Sequence, residues 1–278
     1  MRQIKYLSCE FTKSRGVDLN GTYKNISYRV FDNRHYYDSK LSAVRCQNLT
    51  KHELIEDNYY LSFLPIVPDN EPFSHLIITK AVPEVKILKG KQAVHSAPLY
   101  IYNEKNEIES NIKESFIKEI NDCLGDTEIQ AKHIMDYIYG YLNMPSYVEK
   151  YNDLLKQNYP RVPYPQDYNE FHRIASIGAE LRQCHLFSFE IETISSIDID
   201  NTCKMNVNNK GQVSVNNNTI IELQDNTWEF KIGACQVIKN WIKSRQDEEI
   251  TFEEFLHFLK MIIAIEKTIK LRKTLDES

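Results

Sequence analysis

The feature that most restricts this chain is the way its local signature changes in blocks. Up to about residue 103, short β-prone runs recur: "NISYRVF" (25–31), "YYLSFLPIV" (59–67), "HLIITKAV" (75–82), "VKIL" (85–88) and "PLYIY" (98–102). Tyr and branched side chains suit a pleated, half-buried surface, and prolines and Gly90 punctuate the runs. Residues 104–187 then take helical spacing, 188–232 return to strands, and 233–278 are helical again. This order predicts an α+β fold: a β-rich N-terminal part, a central helical spacer, a small β-hairpin region and C-terminal helices. Residues 1–278 read as one module.

The helices carry their own stop and start signals. Ile112, Phe116, Ile120 and Leu124 share a face that Gly125 closes. A second helix over roughly 128–143 groups Ile134, Ile138, Tyr141 and Leu142 and stops before Pro145. Ser146 and Glu149 predict a capping box for a third. Three prolines then fall within six residues, Pro160 to Pro165, before Asp167 and Glu170 cap a stripe of Phe171, Ile174, Ile177, Leu181 and Cys184. Arg173, Glu180 and Arg182 lie off that stripe. Gly178, in mid-helix, costs about 1 kcal/mol against Ala, which close approach of another helix would explain. The strand run "FSFEIE", a hairpin about "NNKG", "TIIEL" and "WEFKI" follow. Thr251 and Glu254 cap a last helix, expected to lie on the surface or between domains, with Phe255, Leu259, Ile262, Ile263, Glu266 and Ile269 along it.

Enzyme signatures are largely missing. The sequence lacks a Walker A loop, G-x-G-x-x-G, G-x-S-x-G and H-E-x-x-H, and a methyltransferase's cofactor loop and Asn-Pro-Pro-aromatic motif. The eight histidines do not pair at metal-ligand spacing, and the six cysteines form no C-x-x-C pair. No cofactor is expected. Scattered thiols, no signal-peptide core and no apolar run of the roughly 18 residues a membrane span needs predict a cytoplasmic protein without membrane contact. One loose enzyme pattern remains: Pro68-Asp69, then Glu84-Val85-Lys86, fits a Mg²⁺ nuclease template of two carboxylates and a lysine.

Charge distribution favours an anionic partner for the N-terminal part. Residues 1–51 hold ten Lys or Arg against four Asp or Glu, in a chain of net charge −5. In "YRVFDNRHYYD" (28–38), Arg29 and Arg34 can fork onto phosphates or guanine edges, Asn33 can read adenine, and Tyr36 or Tyr37 can stack. Alternatively, Asp32 pairs with one of these arginines and pins a turn. "KILKGKQAVHS" (86–96) offers Lys86, Lys89, Lys91, Gln92 and His95 around Gly90, as a phosphate clamp or a solvated loop. Asn208 and Lys210, in an Asn-rich hairpin, either reach a groove or serve the turn. The tyrosines from Tyr137 to Tyr151 read as packing between helices, and Arg161 as an anchor for the proline segment.

Taken in order, "YRVFDNRHYYD", "APLYIY", "IYGYLNMPSYVEKYNDLLKQNYPRVPYPQDYNEFHRIASIGAELRQCHL" and "WEFKIGACQVIKNWIKSR" resemble the C-terminal specificity domain of type I single-polypeptide (ISP) restriction–modification enzymes. Type IIG enzymes are similar. The resemblance spans about residues 25–275, with Val30 where the family usually has Pro. It implies a target recognition domain that binds double-stranded DNA beside an N6-adenine methyltransferase domain or subunit, without catalysis of its own. It also implies that this chain is a detached module or part of a larger enzyme. The proline segment and the helix after it resemble the spacer of type I specificity subunits, which docks the methyltransferase. Base-reading residues do not carry over, because targets differ between family members.

Overall fold

A computed structural model describes residues 22–38, 47–89, 92–125, 128–190, 202–208, 211–216, 219–246 and 248–277. The fold is α+β. Strand β1 (Thr22–Arg29) runs antiparallel to β2 (Asp32–Asp38) and parallel to the two-residue β5 (Val82–Pro83). A second sheet places β3 (Tyr60–Phe63) between β4 (Leu76–Thr79) and β6 (His95–Pro98). Every β4 residue is buried, as expected for a strand covered on both faces. Strands β7 (Tyr100–Tyr102) and β8 (Ile108–Ser110) form a hairpin, so the helical region begins only at Glu114. Val85–Leu88, expected as a strand, is instead a pair of turns closed by Ile87 N–H to Glu84 O and Lys89 N–H to Lys86 O, both 2.9 Å. Consecutive Ile87 and Leu88 are both fully buried, which a strand with one wet face cannot provide.

Helix α1 (Glu114–Leu124) ends at Gly125, whose φ of 66° is the left-handed cap its sequence predicts. Helices α2 (Ala131–Tyr141), α3 (Pro145–Lys150) and α4 (Tyr168–His185) follow. The Ser146–Glu149 box does not form. Pro145 takes the first helical position, and the Ser146 N–H and hydroxyl go to Asp276 instead, the hydroxyl at 2.6 Å. Asp167 does cap α4, accepting from Glu170 N–H at 2.9 Å.

The α2–α4 contact holds the centre. A Cβ on Gly178 would lie 1.9 Å from the Asp136 carbonyl oxygen, and one on Gly140 would lie 2.5 Å from that of Ile174. The expected close approach is therefore real, and it is reciprocal. Arg182, expected off the apolar stripe, is buried as well. Its Nε and Nη2 donate to the two Asp136 oxygens at 2.6 and 3.0 Å, so the pair is matched bidentately across the same crossing.

The C-terminal part pairs β9 (Thr202–Val207) with β10 (Gln212–Val215) about the predicted "NNKG" turn, flanked by β11 (Thr219–Glu222) and β14 (Glu249–Thr251). "FSFEIE" runs on beyond the described residues. Only Lys231–Ile232 (β12) of "WEFKI" is a strand, paired with β13 (Cys235–Gln236), because Trp228 ends a helical turn. Helix α5 (Val237–Lys243) leads to α6 (Phe252–Asp276), which starts with the predicted Thr251–Glu254 box. α6 is not a surface helix. Phe255, Phe258, Met261, Ala264, Ile265, Thr268 and Leu275 are all buried, and it packs against α4. Thr268 donates to Ala264 O at 2.7 Å and so accepts from His185 Nε2 at 3.0 Å. That leaves His185 Nδ1 to accept the Tyr139 hydroxyl, joining α2, α4 and α6 through one neutral imidazole.

Gly178→Ala must push Asp136 and its backbone away, and we expect it to lower stability by about 3 kcal/mol or more, read as a shifted urea midpoint. An unchanged midpoint would contradict the crossing. Burial holds the His185 pKa down at about 3, against an ordinary 6.5. Below pH 6.5 the unfolded chain takes up a proton that the folded chain refuses. Stability should therefore fall by about 1.4 kcal/mol per unit as pH drops from 6.5 toward 3, and stay level in this term above 6.5. Buried His257, His75 and His52 are shifted the same way. Urea midpoints that do not fall between neutral and mildly acid pH would refute the assignment.

Candidate nucleic-acid interface

The β1–β2 hairpin has a buried tip. Val30 and Phe31 are 2% and 7% exposed, against the habit of polar turns. Phe31 has φ of 58°, unusual for a non-glycine residue. The conformation is held by its ring, which meets those of Phe187 and His185 at 5.0 and 5.5 Å, and by its carbonyl, which accepts from His257 Nε2 at 2.7 Å. Ser27 pairs with Asn33 and Arg29 with Asp32, so Tyr28 is an extra residue in β1. Such a bulge re-aims its side chain. Both guanidinium groups lie over the Tyr28 ring, Arg29 at 4.0 Å and Arg34 at 4.3 Å.

Carboxylates fix both arginines. Asp32 Oδ2 accepts from Arg34 Nε and Nη2 at 3.1 and 2.8 Å, and its Oδ1 accepts from Arg245 Nη2 at 3.0 Å. Arg245 is buried, stacks on Trp241 at 3.9 Å and also meets Glu254 at 3.3 Å and Ser244 Oγ at 3.0 Å. "YRVFD" and "WIKSR", more than two hundred residues apart, thus meet in one strut. Of the two readings for Asp32, the turn-pinning pair with Arg34 is present, and Arg245 is the partner that sequence reasoning missed. Its only signal was its place in the resembling block. Arg29 goes instead to Glu84, with Nη1 2.8 Å from Oε2.

The parallel β1–β5 pairing lays the 84–89 turn beside this hairpin. Glu84 N–H donates to Ser27 O, and Val94 N–H to Val85 O, both at 2.9 Å, closing the loop base. Lys86 N–H also donates to the Glu84 carboxylate, at 2.7 Å. Lys89 is exposed, and its Nζ meets Asn240 Oδ1 on α5. Arg29, Asn33, Arg34, Lys86 and Lys89 therefore belong to one region. Asn33 is exposed, and its Oδ1 accepts from Ser27 Oγ at 2.9 Å. Gln92 is exposed, while His95 on β6 packs edge-on to Tyr159 and accepts its hydroxyl at 2.9 Å, or donates to it. Tyr36 is only 2% exposed and packs with Ile26, Tyr60 and Val82, so its ring serves the core rather than a base. Asn208 stands on another sheet, serving the β9–β10 turn through Gln212. Lys91 and Lys210 lie outside the described residues, as does the Tyr37 side chain.

Glu84 faces Arg29, Asp69 is exposed, and no cluster of three His, Cys, Asp or Glu able to hold a metal occurs among the described residues. Among those residues no helix is long and apolar enough to cross a membrane. The proline segment is held by its backbone. Tyr147 and Tyr137 hydroxyls donate to the carbonyls of Arg161 and Pro163 at 2.8 and 3.2 Å. Arg161 anchors through that carbonyl, and its residue is exposed. These tyrosines do pack between helices, as Tyr141–Tyr147 at 4.7 Å shows, but two hydroxyls have this second use.

A family model described as the Type ISP C-terminal specificity domain matches residues 11–274. No curated protein sequence matches. Among solved structures, the chain is similar to one described as a DrdV–DNA complex, at 19% identity and a TM-score of 0.71, over 99% of this chain and 30% of that one. It is also similar to the ATP-dependent Type ISP restriction–modification enzyme LlaBIII bound to DNA, at 19% identity and 0.72, over 98% and 20%. A nuclease-deletion mutant of the Type ISP enzyme LlaGI, in complex with a DNA substrate mimic, gives 18% and 0.66, over 91% and 24%. The chain thus spans a third or less of each of these structures.

Arg245→Met leaves the buried Asp32 carboxylate with Arg34 as its partner among the described residues, and we expect a loss of about 3–5 kcal/mol. Asp32→Asn on that background should cost much less than it does alone. Urea unfolding of the two single variants and the double variant tests this, and strictly additive losses would dissolve the strut.

Proposed function

The chain belongs to the family of Type ISP C-terminal specificity domains, and on that basis we propose that it is the DNA target recognition module of a restriction–modification enzyme. One observation carries the residue-level reading: the β1–β5 pairing brings two separate basic segments onto one surface. Lys86 and Lys89 suit phosphate contacts, which position a duplex, whereas Arg29, held by Glu84, offers a fixed donor rather than free charge. Asn33, Arg34 and Gln92 offer the planar or forked groups that read base edges. His95 follows Val94, whose N–H closes the loop base onto Val85 O, and is itself engaged by the Tyr159 hydroxyl. The solved relatives being DNA complexes supports double-stranded DNA as the partner.

The module works without catalysis of its own, in the cytoplasm, and directs an adenine methyltransferase domain or subunit to the target site. The proline segment and α4 form the stiff offset between them. Three prolines each fix φ and so resist bending, and here two tyrosine hydroxyls also tie the segment to the helices. The acidic net charge of −5 keeps isolated binding weak, because little long-range attraction assists it.

With two phosphate contacts, duplex affinity should fall about 12-fold between roughly 50 and 200 mM salt, and Lys89→Ala should flatten the log–log slope by about 1. Fluorescence anisotropy with short labelled duplexes measures both. Equal affinity for random and selected duplexes at every salt concentration would reject sequence recognition.

A further inference from the structure

We propose that Arg34 reads a guanine edge, with Asp32 and Arg245 as its positioning residues. The inference rests on the DNA-recognition reading above. A guanidinium carries five N–H donors in a rigid fork. Arg34 commits one side of that fork, Nε and one Nη2 hydrogen, to Asp32. Its flat face lies on Tyr28. The end of the fork, Nη1 and the second Nη2 hydrogen, has no hydrogen-bond partner among the described residues. Two parallel donors of that spacing match guanine O6 and N7.

Arg29 is poorer for this task. Its Nη1 donates both to Tyr28 O at 2.6 Å and to Glu84 at 2.8 Å, which breaks into the end of its fork. The charge around Arg34 points the same way. Arg34 and Arg245 face Asp32 and Glu254, so two positive and two negative groups cancel. What survives for a ligand is direction rather than net attraction, and direction is what base reading needs. Arg34 has a side-chain exposure of 16%, so it has little rotamer freedom left to lose on binding. Its aim is inherited: Trp241 and Glu254 fix Arg245, Arg245 fixes Asp32, and Asp32 fixes Arg34.

The test is selection from a randomised duplex library by the full chain as wild type, Arg34→Lys and Asp32→Asn, with urea midpoints measured alongside. Lysine keeps the charge and loses the fork. We expect wild type to enrich a site containing a G·C pair at which Arg34→Lys loses about 5- to 150-fold of preference. Arg34→Lys also gives up the two-donor contact with Asp32 and the stack on Tyr28, so its midpoint should fall, and only the preference at that pair, measured against the variant's own binding to random duplexes, reports the guanine contact. Asp32→Asn should lose preference at the same pair while random-duplex affinity holds or rises, since one carboxylate has gone. Should Asp32→Asn fail to fold, Arg34→Lys decides alone. Unchanged preference at every position in Arg34→Lys, or an equal loss on all duplexes, overturns the guanine assignment and leaves recognition standing. Failure of wild type to enrich any site removes the recognition reading itself.

Discussion

The closeness of α2 to α4 governs the rest of the molecule. Two glycines, Gly140 and Gly178, face the opposing backbone where any Cβ would collide. At that range the crossing has essentially one solution, and the Asp136–Arg182 pair locks its rotation because both donor–acceptor lines must be met together. Both ends of α4 are then placed. Its N-terminus receives the proline segment, and its C-terminus delivers His185 and the following Phe187 to the Phe31 ring. A loosened crossing would move the tip of the β1–β2 hairpin, and with it the candidate DNA surface.

The proline segment adds stiffness of a different kind. Helices alone can pivot about a loop, but Pro160, Pro163 and Pro165 fix three φ angles in six residues. Two hydroxyl–carbonyl bonds then tie the segment to the α2–α3 region. Tyr159 completes the tie at the other side through His95 and Phe63, reaching the β4–β3–β6 sheet. The β4–β3–β6 sheet and the helical part are thus joined by a short rod with contacts along its length, which suits a part that holds one surface at a set distance from another.

What the sequence made legible follows the range of the interaction. Gly125, Asp167–Glu170 and Thr251–Glu254 are local devices, and each cap forms where its residues stand. The Ser146–Glu149 box is local too, but Asp276, 130 residues away, takes the Ser146 donors. Val85–Leu88 has the composition of a strand and becomes a turn, because Ile87 and Leu88 must both enter the core. α6 reads as a surface or inter-domain helix because its stripe repeats for too few heptads to be a free coiled coil. Burial on several faces produces the same pattern. Among the site residues, Arg29, Asn33 and Arg34 stood out by chemistry. Arg245 did not, since nothing local links it to Asp32. Tyr36 shows the limit from the other side: its neighbours mark it for stacking, and strand alternation turns it inward.

On the proposed reading, the electrostatics of the candidate surface let an acidic chain recognise a polyanion. Arg29 is neutralised by Glu84, and Arg34 shares Asp32 with Arg245. Unpaired arginines at these positions would attract any duplex, and that attraction carries no sequence information. Pairing them removes much of the indiscriminate term and keeps the rigid donors. Among the described residues, the side-chain partner of Lys89 is the neutral Asn240, which does not cancel its charge. A surface built this way gives up affinity for direction. That is a workable exchange only where other parts of an enzyme supply the general attraction to DNA, which is consistent with a module spanning a third or less of the solved relatives it resembles.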